Sequence, residues 1–339
     1  MDNPIAALFL EKFSTDPQSI KELSTSLTGT KSYIVEIEQQ PYFASVFSSN
    51  HEFQVFVVLT EALLRQGIRV PKIICQNAEN AVLIQEHCGD LTLLKLIQSK
   101  ADTNGLLPPE VMNLLETILS DLINIQLKVA ADVQRLHPQY CINYGAAKII
   151  DDLNYFRDSF LVASGFAFQP AKLADDFAAF SEYLSSFPDN FFYYRDLNTR
   201  NILIWNDQPC FIDYQGGRQG FFGCLLGALQ PSVLSLIEHP RARLHLADRR
   251  KLLDFYLKKL NEQMPVDQNQ FFAGYHAFSI LKLLQLLGTY GCLKAKGSIV
   301  TQSEIQTVTA ELDHQLKINP FPIGETELKR VCLKLCNSL

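Results

Sequence analysis

Residues 193–217 read YYRDLNTRNILIWNDQPCFIDYQGG, two short apolar runs edged by charges and amides. ILIW and CFIDY have the composition of strands, and NDQP between them supplies the Asn, Asp and Pro of a turn. With residues 206–209 as that turn, Trp205 faces Cys210, Ile204 faces Phe211, Leu203 faces Ile212 and Ile202 faces Asp213. Asn201 and Asp213 then share the open end of a hairpin, where cross-strand neighbours lie about 5 Å apart. An amide oxygen and a carboxylate at that separation can hold one hard divalent cation; Mg²⁺ takes oxygen ligands at about 2.1 Å. Asp196 lies five residues before Asn201, in a polar turn that folds back over the same end. A carboxylate free of metal is the group that orients an attacking hydroxyl and accepts its proton in phosphoryl transfer. Asp and Asn at strand ends also serve as ordinary turn and cap residues. The weight of the motif therefore depends on the chain around it.

That chain begins with a helical pattern over residues 1–24, AALFLEKF and then QSIKELSTSL beyond Pro17. SYIVEI and YFASVF read as two strands of a hairpin joined by EQQP. HEFQVFVVLTEALLRQG has Phe53, Phe56, Val57 and Leu63 at helical spacing, with Gly67 past its end. VPKIICQ and AVLIQE are two more strands, so the first ninety residues run strand, strand, helix, strand, strand. After Gly89 the pattern is helical: LTLLKLIQSK, a long segment opened by Pro108 and Pro109, KIIDDLNYFRDSFLVASG and AKLADDFAAFSEYLSSF. RKLLDFYLKKLNEQM, residues 271–293 and ETELKRVCLKLC return to helix after the quoted stretch. A boundary near 86–90 is expected between a small mixed lobe, residues 1–88, and a large α-rich lobe, residues 89–339.

A chain of 339 residues can bury a large core, and its net charge of −6 gives no global basic field for a nucleic-acid backbone. The N-terminus has no secretory pattern, and the eight cysteines include no CxxC, so reduced thiols and a cytoplasmic protein are expected. Residues 271–293 are the most membrane-like, but His276, Lys282 and Gln285 within them point to a buried helix and no membrane span.

YRDLNTRNILI followed by CFIDYQGGRQG resembles the aminoglycoside phosphotransferase superfamily. GIRVPKIICQNAENAVLIQEHCGDLTLL, DLNYFRDSFLVASG and LLQLLGTYG are similar to its branch of sugar phosphotransferases, which includes the N-acetylmuramate/N-acetylglucosamine anomeric kinases. The resemblance implies an α+β, bilobal protein-kinase-like fold with a small N-lobe of antiparallel sheet plus helix and a large mainly α-helical C-lobe. It implies ATP and Mg²⁺ as cofactors, Asp196 as base, Asn201 and Asp213 on the metal, and adenine against a hinge at Gln85–Cys88. Tyr194 stands where the superfamily usually has His, a substitution known in this branch.

Two departures bear on activity. The strand YFASVF has no Lys to hold phosphates, although Glu52 fits the acidic partner of such a Lys; Lys31 reads either as its substitute or as a solvated hairpin residue. No acid lies between Asp213 and Glu238, where the resemblance leads one to expect an Asp supporting the catalytic loop. Arg200 and Arg218 can neutralise phosphoryl oxygens or hold an anionic substrate. Asp152 and Asn154 read as sugar contacts or as ordinary helix-surface polar residues, and Lys282 and Gln285 share a helix face that either lines an acceptor site or holds satisfied core polar groups. The expected function is ATP- and Mg²⁺-dependent phosphorylation of a small-molecule hydroxyl, on an amino sugar or related sugar. The alternative is a degenerate kinase-like module that binds nucleotide or a partner.

Overall fold

The computed structural model describes residues 3–26, 29–215 and 224–338. The chain is α+β, with a small antiparallel sheet lobe near the N-terminus and a large helical lobe. It divides into two compact units, Met1–Ile142 with Tyr194–Leu225, and Asn143–Tyr193 with Leu226–Leu339.

In the first unit, α1 (Pro4–Phe13) starts where the Asn3 side chain accepts a hydrogen bond from the Ile5 N–H at 3.0 Å and Pro4 needs no backbone partner. It stops at Ser14, whose φ of 56° is left-handed. The segment expected to continue as helix is instead a strand, β1 (Ser19–Thr25). Ile20 packs on the sheet core while Leu23 stays 50 % exposed, so the helical spacing of these residues has no apolar face to join. A helix this short is marginal alone, whereas the edge of β2 (Lys31–Ile37) offers an antiparallel ladder from Ser19↔Glu36 to Thr25↔Lys31, irregular only at Leu23. β2 turns into β3 (Gln40–Val46) through Glu38 and Gln39, both at positive φ, the two-residue geometry that matches strand twist. Then come α2 (Asn50–Arg65), capped by the Ser49 side chain on the Glu52 N–H, β4 (Ile73–Asn77) and β5 (Val82–Glu86). The sheet order is β1-β2-β3-β5-β4.

The two faces of this sheet differ. Val35, Ile37, Ala44, Val82 and Ile84 bury against Ile5, Leu8 and Phe9 of α1. Ser32, Ile34, Phe43 and Ser45, the alternate residues, face a cavity. The unit continues with α3 (Leu93–Lys100), α4 (Pro109–Asn124), a π-helical turn at 125–129 and α5 (Ala130–Leu136).

In the second unit, α6 (Ala146–Phe156) runs into a π-helical turn at 157–162 and is followed by α7 (Pro170–Ser185). Five helices follow from 230 onward: α8 (Gln230–Ile237), α9 (Leu246–Asn261), α10 (Gln268–Ala295), α11 (Gln302–Ile318) and α12 (Glu327–Ser338). α10 is long and apolar enough to cross a membrane, yet 78 % of its most apolar window is buried inside the protein. Its neighbour is the 157–162 turn, which comes so close that a Cβ on Gly291 would collide with the Ser159 carbonyl oxygen.

Candidate active site

The quoted stretch forms a hairpin, β6 (Ile202–Trp205) and β7 (Gln208–Phe211), with a tighter turn than expected. Asn206 (φ 50°) and Asp207 (φ 56°) alone make the turn, so Trp205 pairs with Gln208, Leu203 with Cys210 and Ile202 with Phe211. Asn and Asp tolerate left-handed backbone, and a two-residue turn matches strand twist better than the four-residue turn inferred from Pro209. The pairing moves by two residues, so every side chain keeps its face. The Ile212 N–H now donates to the Asn201 carbonyl at 3.0 Å, and Asn201 and Asp213 remain together at the open end.

Hydrogen bonds lock the loop before the hairpin. The Asn201 amide donates to the Asp196 carbonyl at 2.9 Å and to Asp213 Oδ2 at 3.2 Å. The Asn198 side chain accepts from the Arg200 N–H at 2.9 Å. Tyr194 is buried and its hydroxyl donates to the Ile212 carbonyl at 2.6 Å, which ties the Asp196 loop to the segment between β7 and Asp213. Asp213 has a φ of 63°, and Gln215 Nε2 donates to its Oδ1 at 3.1 Å. Its carboxyl reaches solvent through the cavity, yet crowding by protein raises its pKa to about 6; the nearby Asp196 charge adds to this and the two amide hydrogen bonds oppose it. Tyr214, fully buried, donates to or accepts from the Thr60 hydroxyl at 2.6 Å and stacks on Phe56, which joins this strand to α2.

Arg200, Asn201, Asp213 and Glu52 line one cavity of 580 Å³ together with Gln85–Asp90, Tyr214 and Gln215. Glu52 is 2 % exposed and accepts from the Ser48 hydroxyl at 2.8 Å. Lys31 is exposed; it falls on the sheet face of Tyr33, Val35 and Ile37, away from Thr30 and Ser32, which line the cavity. No lysine is among the described lining residues. Arg218 lies outside the described residues. Cys88, also in the lining, shares a thiol hydrogen bond with Cys210.

Asp152, Lys282 and Gln285 belong to the second unit. Asp152 is buried and accepts from the Tyr144 hydroxyl and, at 2.8 Å, from Gln285 Nε2. Gln285 also donates to the Tyr144 hydroxyl at 2.9 Å, and Lys282 reaches the Tyr193 hydroxyl at 3.3 Å. Asn154 is half-buried on α6. A wider cavity in this unit, 770 Å³, has Arg249 between Glu238 and Glu311, and those charges answer one another. The sequence reading passed over Tyr194 as a contact, Tyr214, Gln215 and Tyr144. The first three adjoin motif residues, whereas Tyr144 carries no local signal.

No protein-family model matches the chain, and no curated protein sequence does. Solved structures do. A choline kinase, LicA, from Streptococcus pneumoniae superposes with a TM-score of 0.56 at 12% identity, over 91% of this chain and 98% of its own. An ethanolamine kinase of Plasmodium vivax gives 0.57 at 11% identity, over 88% and 82%. An AMP-bound spectinomycin phosphotransferase gives 0.53 at 12% identity, over 98% and 97%. At these identities the likeness is one of fold: the chain has the fold shared by choline, ethanolamine and spectinomycin phosphotransferases.

Proposed function

We propose that this chain is an ATP- and Mg²⁺-dependent phosphotransferase that acts on a hydroxyl of a small molecule, an amino sugar or a related sugar. The observation that carries the reading is the convergence of Asp196, Asn201 and Asp213 at one hairpin end, two of them facing a cavity edged by Gln85–Cys88. In this reading Asp196 takes the proton of the attacking hydroxyl. Asn201 and Asp213 hold the cation, and Arg200 and Arg218 balance the phosphoryl charge. Their donor set fits a hard cation: both hydrogens of the Asn201 amide point at oxygens, which leaves its own oxygen for a ligand. Mg²⁺, when bound, would neutralise charge on the phosphate oxygens and so lower their repulsion of the electron-rich nucleophile that attacks phosphorus.

ATP fits with a reservation built into the residues. Glu52 accepts from the Ser48 hydroxyl and Lys31 lies on the other sheet face, so the phosphate grip falls to the hairpin end and to Arg200. Asp152 and Asn154 serve as acceptor-side residues in this reading, with Asp152 acting through Tyr144 and Gln285. A small lobe of residues 1–88, a large one of 89–339, a cytoplasmic location and independence of nucleic acid and membranes belong to the same proposal.

The lysine-free lining supports a second reading, a kinase-like module that binds nucleotide without transferring phosphate. Calorimetry of ATP with and without Mg²⁺, on the wild type and Asp213→Asn, separates them when followed by mass spectrometry of sugars incubated with each. Metal-linked binding lost in the variant, with a phosphosugar formed only by the wild type, is the expected result. Nucleotide binding indifferent to Mg²⁺ and no product from any sugar would leave the second reading standing.

A further inference from the structure

Four buried side-chain polar atoms among the described residues have no hydrogen-bond partner: Asn124 Oδ1, Ser185 Oγ, Gln215 Oε1 and His276 Nε2. Gln215 is the one of these four that lines the hairpin cavity. A buried acceptor without a donor is costly, and such atoms often mark where a ligand completes the structure.

The amide orientation follows from its neighbours. Gln215 Nε2 donates to Asp213 Oδ1 at 3.1 Å, so the NH₂ end is the one held at the carboxylate and the oxygen is the end left without a donor. Asn201 repeats the arrangement, its Nδ2 committed to Asp213 Oδ2 and the Asp196 carbonyl. Asp213 is thus gripped from both sides by amides whose nitrogens donate to it and whose oxygens are left to accept. Three side chains, one carboxylate and two amides, therefore bring hard oxygen donors to the same end of the hairpin. That is the ligand chemistry of a divalent cation such as Mg²⁺ or Mn²⁺.

We propose that Gln215 Oε1 is a third protein oxygen for the divalent cation assigned above to Asn201 and Asp213, and that this set holds the cation only jointly with nucleotide phosphates. The second half follows from charge. The three side chains carry a single negative charge between them, too little to strip water from a free divalent ion, and the phosphates supply the rest. The inference rests on reading the cavity as a nucleotide site.

The test is calorimetry of Mn²⁺ alone, ADP alone and ADP with Mn²⁺, on the wild type, Gln215→Met and Gln215→Glu, each checked for an unchanged unfolding transition. Met keeps the length and removes the oxygen. The wild type is expected to bind no Mn²⁺ alone over the range in which Mn²⁺ strengthens ADP binding. Gln215→Met should lose at least about tenfold of that strengthening, the scale on which one supporting partner already matters to a metal site, with metal-free ADP affinity unchanged. Gln215→Glu, with a second carboxylate, should bind Mn²⁺ alone. A Met variant with the full metal effect overturns the ligand role, and so does an equal loss of metal-free ADP binding, which would put Oε1 on the nucleotide. Mn²⁺ bound by the wild type without ADP, or not bound by the Glu variant, overturns the charge argument. A wild type that binds no ADP under any condition removes the nucleotide reading itself, and the wild-type arm alone reveals that.

Discussion

Asp152 and Asp213 are both held by amides, and they are held in opposite ways. Asp152, in the second unit, takes hydrogen bonds from a tyrosine hydroxyl and from Gln285, which also bonds that tyrosine, and is 7 % exposed. Asp213, in the first unit, takes hydrogen bonds from Asn201 and Gln215, faces a cavity, and leaves one of those amides with a buried oxygen that no described residue partners. Every buried polar atom of the first cluster has a partner, and among the described residues the second is incomplete, with Gln215 Oε1 left over. Residue types alone do not separate them, since both pair Asp with amides; what differs is whether donors and acceptors balance within the chain. An imbalance beside a cavity is the better sign of chemistry.

The sharpest way to break this comparison is Asp196→Asn. If the hairpin end is the reacting centre, the variant should form product about 10²- to 10⁴-fold more slowly while nucleotide binding persists, measured by single-turnover product formation. Unchanged turnover would leave the hairpin end as a fold feature.

Next in size is Asp152→Ala, which removes the acceptor of the Tyr144 hydroxyl and one of the two acceptors of the Gln285 amide in a buried setting. It should cost about 3 kcal/mol of stability by urea unfolding. A variant of full stability whose KM for the acceptor rises would instead make Asp152 a substrate contact and dissolve the contrast.

The smallest effect is one of pH. A proton and a cation compete for the Asp213 oxygens, and that carboxyl titrates at about 6. The metal-dependent part of ADP affinity should be full above pH 6 and fall about tenfold per pH unit below it, read by calorimetry from pH 5 to 8. Without metal the sign reverses for folding. A carboxyl whose pKa is raised favours the fold when protonated, so its contribution is fully present below the ordinary value of 3.8 and is lost as pH rises through about 6. A metal effect flat from pH 5 to 8 would take Asp213 off the cation.

Much of this was legible in the sequence because it depends on local pattern. Alternation marked β2, β3 and β5, and the 3.6 period marked α2 and the helices after Gly89. Asn201 and Asp213 stayed together even though the turn was misjudged, because a shift of two residues preserves the faces of a hairpin. β1 was misread since its pairing partner, not its own period, determines its state. The side of the sheet that Lys31 occupies was likewise invisible until the ladder placed Thr30 and Ser32 at the cavity. The closed state of Asp152 depends on Tyr144 and on Gln285, 133 residues further along the chain, a distance no local pattern spans.

α10 offers a consequence for how the chain is made. Its 28 residues span about 42 Å and are apolar on every side, so until its neighbours dock, the nascent helix is an adhesive rod. Gly288 and Gly291 admit the backbone of residues 156–160, an earlier segment already waiting when α10 leaves the ribosome. A side chain at Gly291 would hold that segment off. Such damage would be felt first as clumping of newly made protein, before any question of catalysis arose.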